Sequence, residues 1–248
     1  MTQRVRAAVF RPDDGRLDDA VELLESLGAT PVRDAMLAVE PTGNAAREDA
    51  DYAILTSKTG VELVAETGWD RTGVSVCAIG ESTADALREH GYEVDLVPAE
   101  FSSKGLVGAL TDAVDGARVE VARSDHGSAV LTDGLEDAGA YVHETVLYRL
   151  VRPPEAGVSA ERAADGELEA ALFTSSLTVE HFLEAATARG VREDAIAGLN
   201  DAVVGCIGEP TARTAERHGV DVDVVPDEAS FDALAAAVVE EAAPSRHD

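Results

Sequence analysis

Short apolar runs alternate with amphipathic stretches along the whole chain. The runs end in Gly, Ser or Thr, as in AILTS at 53–57, CAIG at 77–80, ALFTS at 171–175 and GCIG at 205–208. After each run, apolar residues recur three and four positions apart, which is typical of a helix that covers one face of a sheet. Strands that alternate with helices favour parallel sheets with helices on both faces. The pattern therefore predicts an α/β fold with doubly wound parallel sheets.

One strand-helix-strand unit occurs twice at a constant offset of 128 residues, from Ala78 to Leu110 and from Cys206 to Val238. The identical pairs are Ile79/Ile207, Gly80/Gly208, Glu81/Glu209, Thr83/Thr211, His90/His218, Gly91/Gly219, Val94/Val222, Asp95/Asp223, Pro98/Pro226 and Ser102/Ser230. In each copy a Thr belongs at the helix start, a His in the last turn, and a Gly where helices commonly end. A second strand follows in each copy, YEVDLVP or VDVDVVP, and stops at Pro. We therefore expect two similar α/β halves.

The remaining segments also pair with each other. Residues 5–32 resemble residues 117–142, with Arg11 equivalent to Arg123, and residues 53–64 resemble residues 171–182. The chain thus has the order A, B, A′, B′. Two extended stretches, 35–41 and 145–154, end at prolines and are predicted to be strand-like connectors between two domains. Either A joins B and A′ joins B′, or the pairing is interleaved, and the spacing does not choose between these arrangements.

Length and composition agree with a folded two-domain protein. A chain of 248 residues with 45% hydrophobic residues can form two domains of roughly 110 to 130 residues each. No apolar run approaches the roughly 18 residues of a membrane helix, and MTQRVRAAVF lacks the hydrophobic region of a secretory signal. We therefore expect a cytoplasmic protein without membrane contact. Cys77 and Cys206 are expected to be small buried core residues rather than a disulfide or metal ligands.

The charge is strongly acidic and evenly distributed. The chain has 20 basic and 48 acidic residues, which gives a formal net charge of −28. Such a surface is typical of proteins that work in concentrated salt, because salt near 1 M shortens the Debye length to about 3 Å and screens self-repulsion. Nucleic acid is not expected to be a partner, since phosphate binding requires basic patches that are missing here.

Hydroxyl and glycine residues follow the predicted strands, where doubly wound sheets bind ligands. The candidates are Thr56, Ser57, Lys58, Gly80, Ser82, Thr83, Ser175, Ser176, Gly208 and Thr211. Each precedes a helix, so free backbone N–H groups and hydroxyls would point at an anionic ligand. Two facing lobes would then form a cleft lined by helix starts. The alternative is that these hydroxyls only cap their helices.

Other chemistries find little support in the sequence. His126, His143 and His181 lack metal-ligand spacing with one another or with the cysteines, so no metal is expected. There is no G-x-G-x-x-G after a strand, no Walker loop and no G-x-S-x-G elbow, so neither a nucleotide cofactor nor a hydrolase serine is indicated. Tyr148 either packs in a strand or presents its hydroxyl to a cleft and donates a proton.

Taken together, the motifs resemble those of the uroporphyrinogen-III synthase family over nearly the whole chain. T-S-x-x-x-V-E occurs at 56–62 and 174–180, I-G-x-x-T-A at 79–84 and 207–212, and G-x-x-V-D-x-V-P at 91–98 and 219–226. R-S-D-x-G at 123–127 is followed by E-x-x-x-Y-R at 144–149. Each motif is loose, but their combination in this order is specific.

The resemblance implies an enzyme without a cofactor that cyclises hydroxymethylbilane, a linear tetrapyrrole, to uroporphyrinogen III with loss of water and inversion of ring D. It also implies the interleaved topology, with residues 1–36 plus 152–248 in one domain and 37–151 in the other. Tyr148 matches the tyrosine proposed to help the hydroxyl leave, and the hydroxyl-rich turns match those that hold the substrate's carboxylates.

Basic residues would have to offset the repulsion between an acidic protein and this polyanionic substrate. The candidates are Arg11, Lys58, Arg123 with the adjacent Ser124, Arg149 and Arg213. Surface ion pairing is the alternative reading of these residues. We expect a monomer that binds a small molecule. The rival hypotheses are a two-lobed binding or sensor module without chemistry and a nucleotide-dependent α/β enzyme.

Overall fold

The computed structural model describes residues 4–13 and 15–243. Its elements are β1 (Arg6–Val9), α1 (Gly15–Ser26), β2 (Thr30–Arg33), β3 (Ala38–Pro41), β4 (Tyr52–Leu55), α2 (Lys58–Glu66), β5 (Ser75–Ala78), α3 (Glu81–Glu89), α4 (Ser103–Leu110), β6 (Arg118–Ser124), α5 (Ala129–Asp137), β7 (Tyr141–Val151), α6 (Val158–Ala164), β8 (Ala170–Phe173), α7 (Ser176–Ala188), α8 (Arg192–Asn200), β9 (Val203–Cys206), α9 (Glu209–Arg217) and α10 (Phe231–Ala242). They form two compact units, of which unit 2 is Val39–Leu150 and unit 1 is the chain on either side of it.

Unit 1 contains a four-stranded sheet in the order β2-β1-β8-β9, whose neighbours are all parallel. One face carries a core shared with α1 and α10, and the other a core shared with α6 to α9. Phe10, Phe173 and Phe182 are fully buried in this second core. The rings of Phe10 and Phe173 stack with centroids 4.6 Å apart, and Phe182 meets both edge-on. Aromatic packing of this kind fixes α7 on the sheet.

Unit 2 contains a five-stranded sheet in the order β3-β7-β6-β4-β5. The pairs β4/β5, β4/β6 and β6/β7 are parallel. Helices α2 and α3 share a core with one face, and α4 and α5 share a core with the other. Both units therefore confirm the predicted α/β class with parallel sheets and helices on both faces.

The sheets join segments that are far apart in the sequence. β1 pairs with the late strand β8, so β1 and β2 share a sheet with β8 and β9, whereas β4 pairs with β6, so β4 and β5 share a sheet with β6 and β7. This is the interleaved combination of A with B′ and B with A′. Both predicted connectors contain strands, β3 and the second half of β7, and β7 is one continuous strand of 11 residues.

The prediction of a full second strand in each repeat is wrong. Only single bridges form, between Cys77 and Leu96 and between Gly205 and Val224. In the first repeat, Asp95 Oδ2 accepts a hydrogen bond from the backbone N–H of Val76 at 2.7 Å, and Asp223 Oδ2 does the same for Val204 at 2.8 Å. In each copy a side-chain carboxylate thus takes the place of the backbone carbonyl that would accept this hydrogen bond in a continuous ladder. No further strand is added within the described residues, so β5 and β9 are the outermost strands on that side of their sheets.

The glycine and cysteine predictions of the repeat are confirmed. Gly91 and Gly219 end their helices with φ of 82° and 84°, a conformation that favours glycine. Cys77 and Cys206 are free thiols in the two cores. Burial raises the pKa of each thiol to about 12, so neither is a nucleophile at neutral pH.

Candidate functional site

The carboxyl ends of four neighbouring strands in unit 2 bring most of its candidate residues to one edge of the sheet. Along the order β7-β6-β4-β5, this edge carries Tyr148, Ser124, Thr56 with Ser57, and Gly80. Strands in a sheet lie about 4.8 Å apart, so the row spans about 14 Å. Parallel strands therefore assemble side chains that are up to 92 residues apart in the chain, as from Thr56 to Tyr148.

Tyr148 and Ser57 form the central pair of this edge. The phenol oxygen of Tyr148 lies 2.9 Å from Ser57 Oγ, and the tyrosine is 6% exposed. Ser57 is also the N-cap of α2, where its Oγ accepts the backbone N–H of Gly60 at 3.0 Å. A serine oxygen has two lone pairs, so either hydroxyl can donate in this pair, and donation by Ser57 leaves the phenol proton free for another acceptor. The serine is thus both a helix cap and a partner of Tyr148.

The two repeat helices begin differently from α2 and α7. Gly80 and Gly208 are the N-caps of α3 and α9, and no side chain caps either helix. Thr83 and Thr211 lie at the third helical position and are buried, so they are first-turn residues and not caps. Ser82 is exposed in the same turn of α3. These two uncapped starts leave backbone donors for a ligand, which is the arrangement that favours anions.

In unit 1, the starts of α7 and α9 are linked by hydroxyl groups. Ser175 caps α7 in a capping box with Thr178. Ser176 Oγ donates to the carbonyl of Pro210 at 3.1 Å and accepts from Thr214 Oγ1 at 3.0 Å. A cavity of about 730 Å³ lies against this link. It is lined by Ser176, Pro210, Arg213, Thr214, Glu216 and Arg217.

Arg123 is held inside unit 2 by an ion pair. It is 4% exposed, its Nε and Nη2 donate to the carboxylate of Glu144 at 3.1 and 2.9 Å, and Nη1 donates to the carbonyl of Ser128. Gly127 makes room for it, because a Cβ there would lie 2.2 Å from Arg123 Nε. The R-S-D-x-G and E-x-x-x-Y-R motifs therefore build one structural network. Arg123 therefore forms an ion pair from a buried position and not the surface pair that was the alternative interpretation, and a substrate contact by this residue stays a prediction.

The other basic candidates lie at different places. The guanidinium of Arg11 stacks over the ring of Phe231 at 4.9 Å from its centroid, beyond the end of β1. Arg213 pairs with Glu209 on α9 at 3.6 Å. Lys58 and Arg149 are exposed at the carboxyl edge of unit 2. Arg149 and Asp125 line a cavity of about 500 Å³ beside β3 and β7.

Asp125 is an ionised carboxylate at this edge. Although burial opposes it, hydrogen bonds from His126 Nδ1 and the backbone N–H of Leu150 lower the pKa of Asp125. The same side chain therefore orients the end of β7 just after Tyr148.

The sequence did not single out two features that the structure shows. One is the buried Glu120 of β6, whose Oε2 forms a hydrogen bond of 2.7 Å with Nδ1 of His143 on β7. The other is Phe101, which is exposed beside Gly80. The sequence did contain a signal for Phe101, because the first copy of the repeat has this phenylalanine where the second copy has Ala229. No group of His, Cys, Asp and Glu residues in the described ranges has the geometry of a metal site.

The fold and the candidate site together indicate a class of protein: an α/β protein that binds an anionic organic ligand. The chain has two α/β units whose strand ends carry uncapped helix starts, hydroxyl groups and a tyrosine, a construction suited to an anionic organic ligand. None of the helices in ranges 4–13 and 15–243 has the length and apolarity of a membrane span.

Comparison with known proteins identifies the family. The family model described as uroporphyrinogen-III synthase HemD matches residues 18–236. A protein of Methanothermobacter thermautotrophicus that is provisionally named a uroporphyrinogen-III synthase is 33% identical over 229 residues, covering 86% of this chain and 89% of its own. The uroporphyrinogen-III synthase of Chlorobaculum parvum is 25% identical over 169 residues, covering 66% of this chain and 65% of its own. The chain belongs to the uroporphyrinogen-III synthase family, whose members are enzymes of tetrapyrrole biosynthesis.

Solved structures share the fold. A mutant uroporphyrinogen III synthase from Thermus thermophilus superposes with a TM-score of 0.66 at 22% identity, covering 96% of this chain and 98% of the other. The uroporphyrinogen-III synthetase of Helicobacter pylori also has a TM-score of 0.66, at 15% identity, covering 96% and 100%. The resemblance that the motifs indicated is thereby confirmed at the level of family and fold.

Proposed function

We propose that this protein is a lyase that converts hydroxymethylbilane to uroporphyrinogen III, with loss of water and inversion of ring D. The single observation that carries the assignment of roles is the Tyr148–Ser57 hydrogen bond at the carboxyl edge of the unit 2 sheet. Family membership supports the reaction, and the pair offers a hydroxyl group that can donate a proton where substrates of doubly wound sheets bind.

Tyr148 starts the proposed reaction as a proton donor. Its phenol gives a proton to the hydroxyl group of the terminal hydroxymethyl carbon, which leaves as water as the C–O bond breaks. The pyrrole nitrogen supplies the electron pair, so that a protonated azafulvene forms and Tyr148 is left as a phenolate. Ser57 Oγ donates its hydrogen to the developing phenolate, because a phenolate oxygen can only accept, while Ser57 Oγ goes on accepting the N–H of Gly60.

Ring inversion then requires positioning rather than a further strong acid or base. The substituted carbon of ring D attacks the azafulvene and gives a spiro intermediate, which fragments and recloses through the other carbon. The reclosed ring carbon finally loses its proton, which restores the aromatic pyrrole, and the Tyr148 phenolate takes up that proton and is an acid again. Holding a flexible chain in this geometry supplies much of the rate enhancement. We assign that role to the turns at Thr56 to Lys58, Gly80 to Thr83, Ser175 with Ser176, and Gly208 to Thr211, whose N–H and hydroxyl groups bind the carboxylate arms.

The reaction as proposed consumes no cofactor. We further propose that the enzyme acts as a cytoplasmic monomer, with domains of residues 1–36 plus 152–248 and 37–151, and does not bind nucleic acid. The net charge of −28 supports the last point, because repulsion from phosphates would oppose association.

An isomer assay tests the proposal directly. Purified protein is mixed with freshly prepared hydroxymethylbilane, and the type I and type III products are separated after oxidation to porphyrins. We expect type III to dominate, whereas the uncatalysed reaction closes the ring without inverting ring D. A product ratio equal to the uncatalysed one would favour the binding or sensor module instead. A titration with nucleotides, monitored calorimetrically, would reveal a nucleotide-dependent enzyme.

A further inference from the structure

Phe101 is an exposed aromatic residue in a protein with few aromatic residues. Phenyl, indole and phenol side chains make up only 4% of the chain. Phe10, Phe173 and Phe182 are fully buried, whereas Phe101 is 62% exposed. An apolar ring of this size in water forgoes the stabilisation that burial would give, and a ligand that covered the ring would recover it.

The loop that carries Phe101 is held by specific contacts on both sides of the residue. The N–H of Ser102 donates to the carbonyl of Glu100 at 2.8 Å, and Ser102 Oγ donates to the Glu100 carboxylate at 2.7 Å. Ser102 also caps α4 by accepting the N–H of Gly105. A Cβ at Gly105 would lie 1.9 Å from the Glu100 carbonyl oxygen, so only glycine lets the loop pack this closely. The exposed position of the ring is therefore built into the loop.

The ring lies against the start of α3. A Cβ added to Gly80 would be 3.3 Å from both Cβ and Cγ of Phe101. Gly80 follows β5 at the same carboxyl edge that carries Ser57 and Tyr148. Phe101 thus lies next to Gly80 at the end of the row of candidate site residues and adds an aromatic side chain to it.

The second repeat lacks this feature. Ala229 occupies the position equivalent to Phe101 at the offset of 128 residues. A Cβ at Gly208 would meet only the ring of Pro210, at 3.8 Å. The two copies of the unit therefore differ at this loop position: the phenylalanine of the second copy lies two residues later, as Phe231 at the start of α10, and the loop fold does not require an aromatic residue before the cap.

We propose that the face of Phe101 stacks on a pyrrole ring of the tetrapyrrole and positions that ring at the carboxyl edge of unit 2. The inference rests on the proposed function and assigns Phe101 as a substrate-binding residue of the same site. Stacking suits this substrate because pyrroles are electron-rich flat rings, and an apolar platform contributes contact area without adding charge.

The test replaces the aromatic face while keeping an apolar side chain. For Phe101→Leu we expect KM for hydroxymethylbilane to rise about tenfold, with a smaller change in kcat and an increased share of type I product. Phe101→Trp should restore the KM, because it restores a flat π surface. Phe101→Ala, which copies the second repeat, should keep the melting temperature of the wild type and raise KM at least as much as Phe101→Leu.

Tyr141→Leu provides the matched control. Tyr141 is also an exposed aromatic residue, at the start of β7 and hence at the opposite edge of the same sheet, and its replacement should leave KM unchanged. An unaltered KM in Phe101→Leu, or equal losses in the Leu and Trp variants, would overturn the role of Phe101. If the wild-type protein forms no excess of type III, the proposed function itself fails, which is a separate outcome.

Discussion

At the scale of single residues, Tyr148 is the side chain whose proposed role is chemical. Replacing it with Phe removes the proton donor and the bond to Ser57 but keeps the ring in the core. We expect kcat to fall by about 100-fold, within the usual range for a general acid, and stability to fall by about 1 kcal/mol. Steady-state assays and denaturant melts measure the two effects.

Tyr52→Phe is the control for this variant. The hydroxyl of Tyr52, at the start of β4, makes only a 3.4 Å contact with the carbonyl of Ala113. Loss of this hydroxyl should change neither kcat nor the free energy of unfolding by a measurable amount. Undiminished turnover in Tyr148→Phe would remove the role assigned to Tyr148.

The Arg6–Glu169 pair predicts a pH dependence of stability. Arg6 hydrogen-bonds the Glu169 carboxylate through its guanidinium and backbone N–H, and these contacts lower the pKa of Glu169 against the opposing effect of burial. A lowered pKa stabilises the fold above the ordinary value near 4.5, and this stabilisation is lost as the pH falls through the folded-state pKa.

Glu169→Gln should therefore be less stable than the wild type at pH 7 by about 0.5–1 kcal/mol, since water screens side chains that are roughly one-third exposed. The difference should shrink in urea melts below pH 4. Asp18→Asn, which removes the more exposed pair with Arg33, should have a smaller effect. A deficit for Glu169→Gln that stays constant with pH would show that the ion pair does not cause it.

At the scale of elements, two helical glycines predict opposite outcomes for the same substitution. A Cβ at Gly198 in α8 would lie 1.8 Å from the carbonyl oxygen of Ala163 in α6. Gly108 in α4 has no atom within 4 Å of an added Cβ. The first glycine permits close helix packing, while the second only lowers helix propensity.

We expect Gly198→Ala to reduce the free energy of unfolding by more than about 2 kcal/mol, because the backbones of α6 and α8 must separate. Gly108→Ala should raise it by about 0.5–1 kcal/mol. Thermal and chemical unfolding followed by circular dichroism will distinguish them. A neutral Gly198→Ala would mean that the two helices do not pack this closely in solution.

The repeated elements show how far local sequence determines local structure. Strand ends, helix starts and the left-handed Gly91 and Gly219 follow the predicted pattern, because each depends on contacts within a few residues. The predicted second strands fail at Asp95 and Asp223 for the opposite reason. Their carboxylates bond to strands 19 residues earlier, and apolar periodicity carries no information about that contact.

At the scale of the whole molecule, the charge predicts a requirement for salt. With a net charge of −28, mutual repulsion destabilises the compact state at low ionic strength. We expect both the melting temperature and the specific activity to rise steeply between about 0.1 and about 2 M KCl. Circular dichroism and the isomer assay across this range measure the effect.

NaCl at the same ionic strength as KCl is the control. It should give the same rise in melting temperature and activity, because screening depends on ionic strength rather than on the identity of the ion. Full activity and an unchanged melting temperature in dilute buffer would contradict the interpretation of the acidic surface as an adaptation to salt.

The sequence by itself determined the α/β class, the positions of most elements, the duplication, the family resemblance and the residues that end the strands. These features follow from periodicity, capping chemistry and turn residues, which act over short distances along the chain. Within the interleaved topology that the resemblance implied, the tertiary structure decided that β1 lies directly beside β8, that Arg123 is bound to Glu144, that Ser57 contacts Tyr148 and that Phe101 lies exposed beside Gly80. Each of these depends on residues brought together by sheet order, and two pairings of the same segments satisfy the same local pattern.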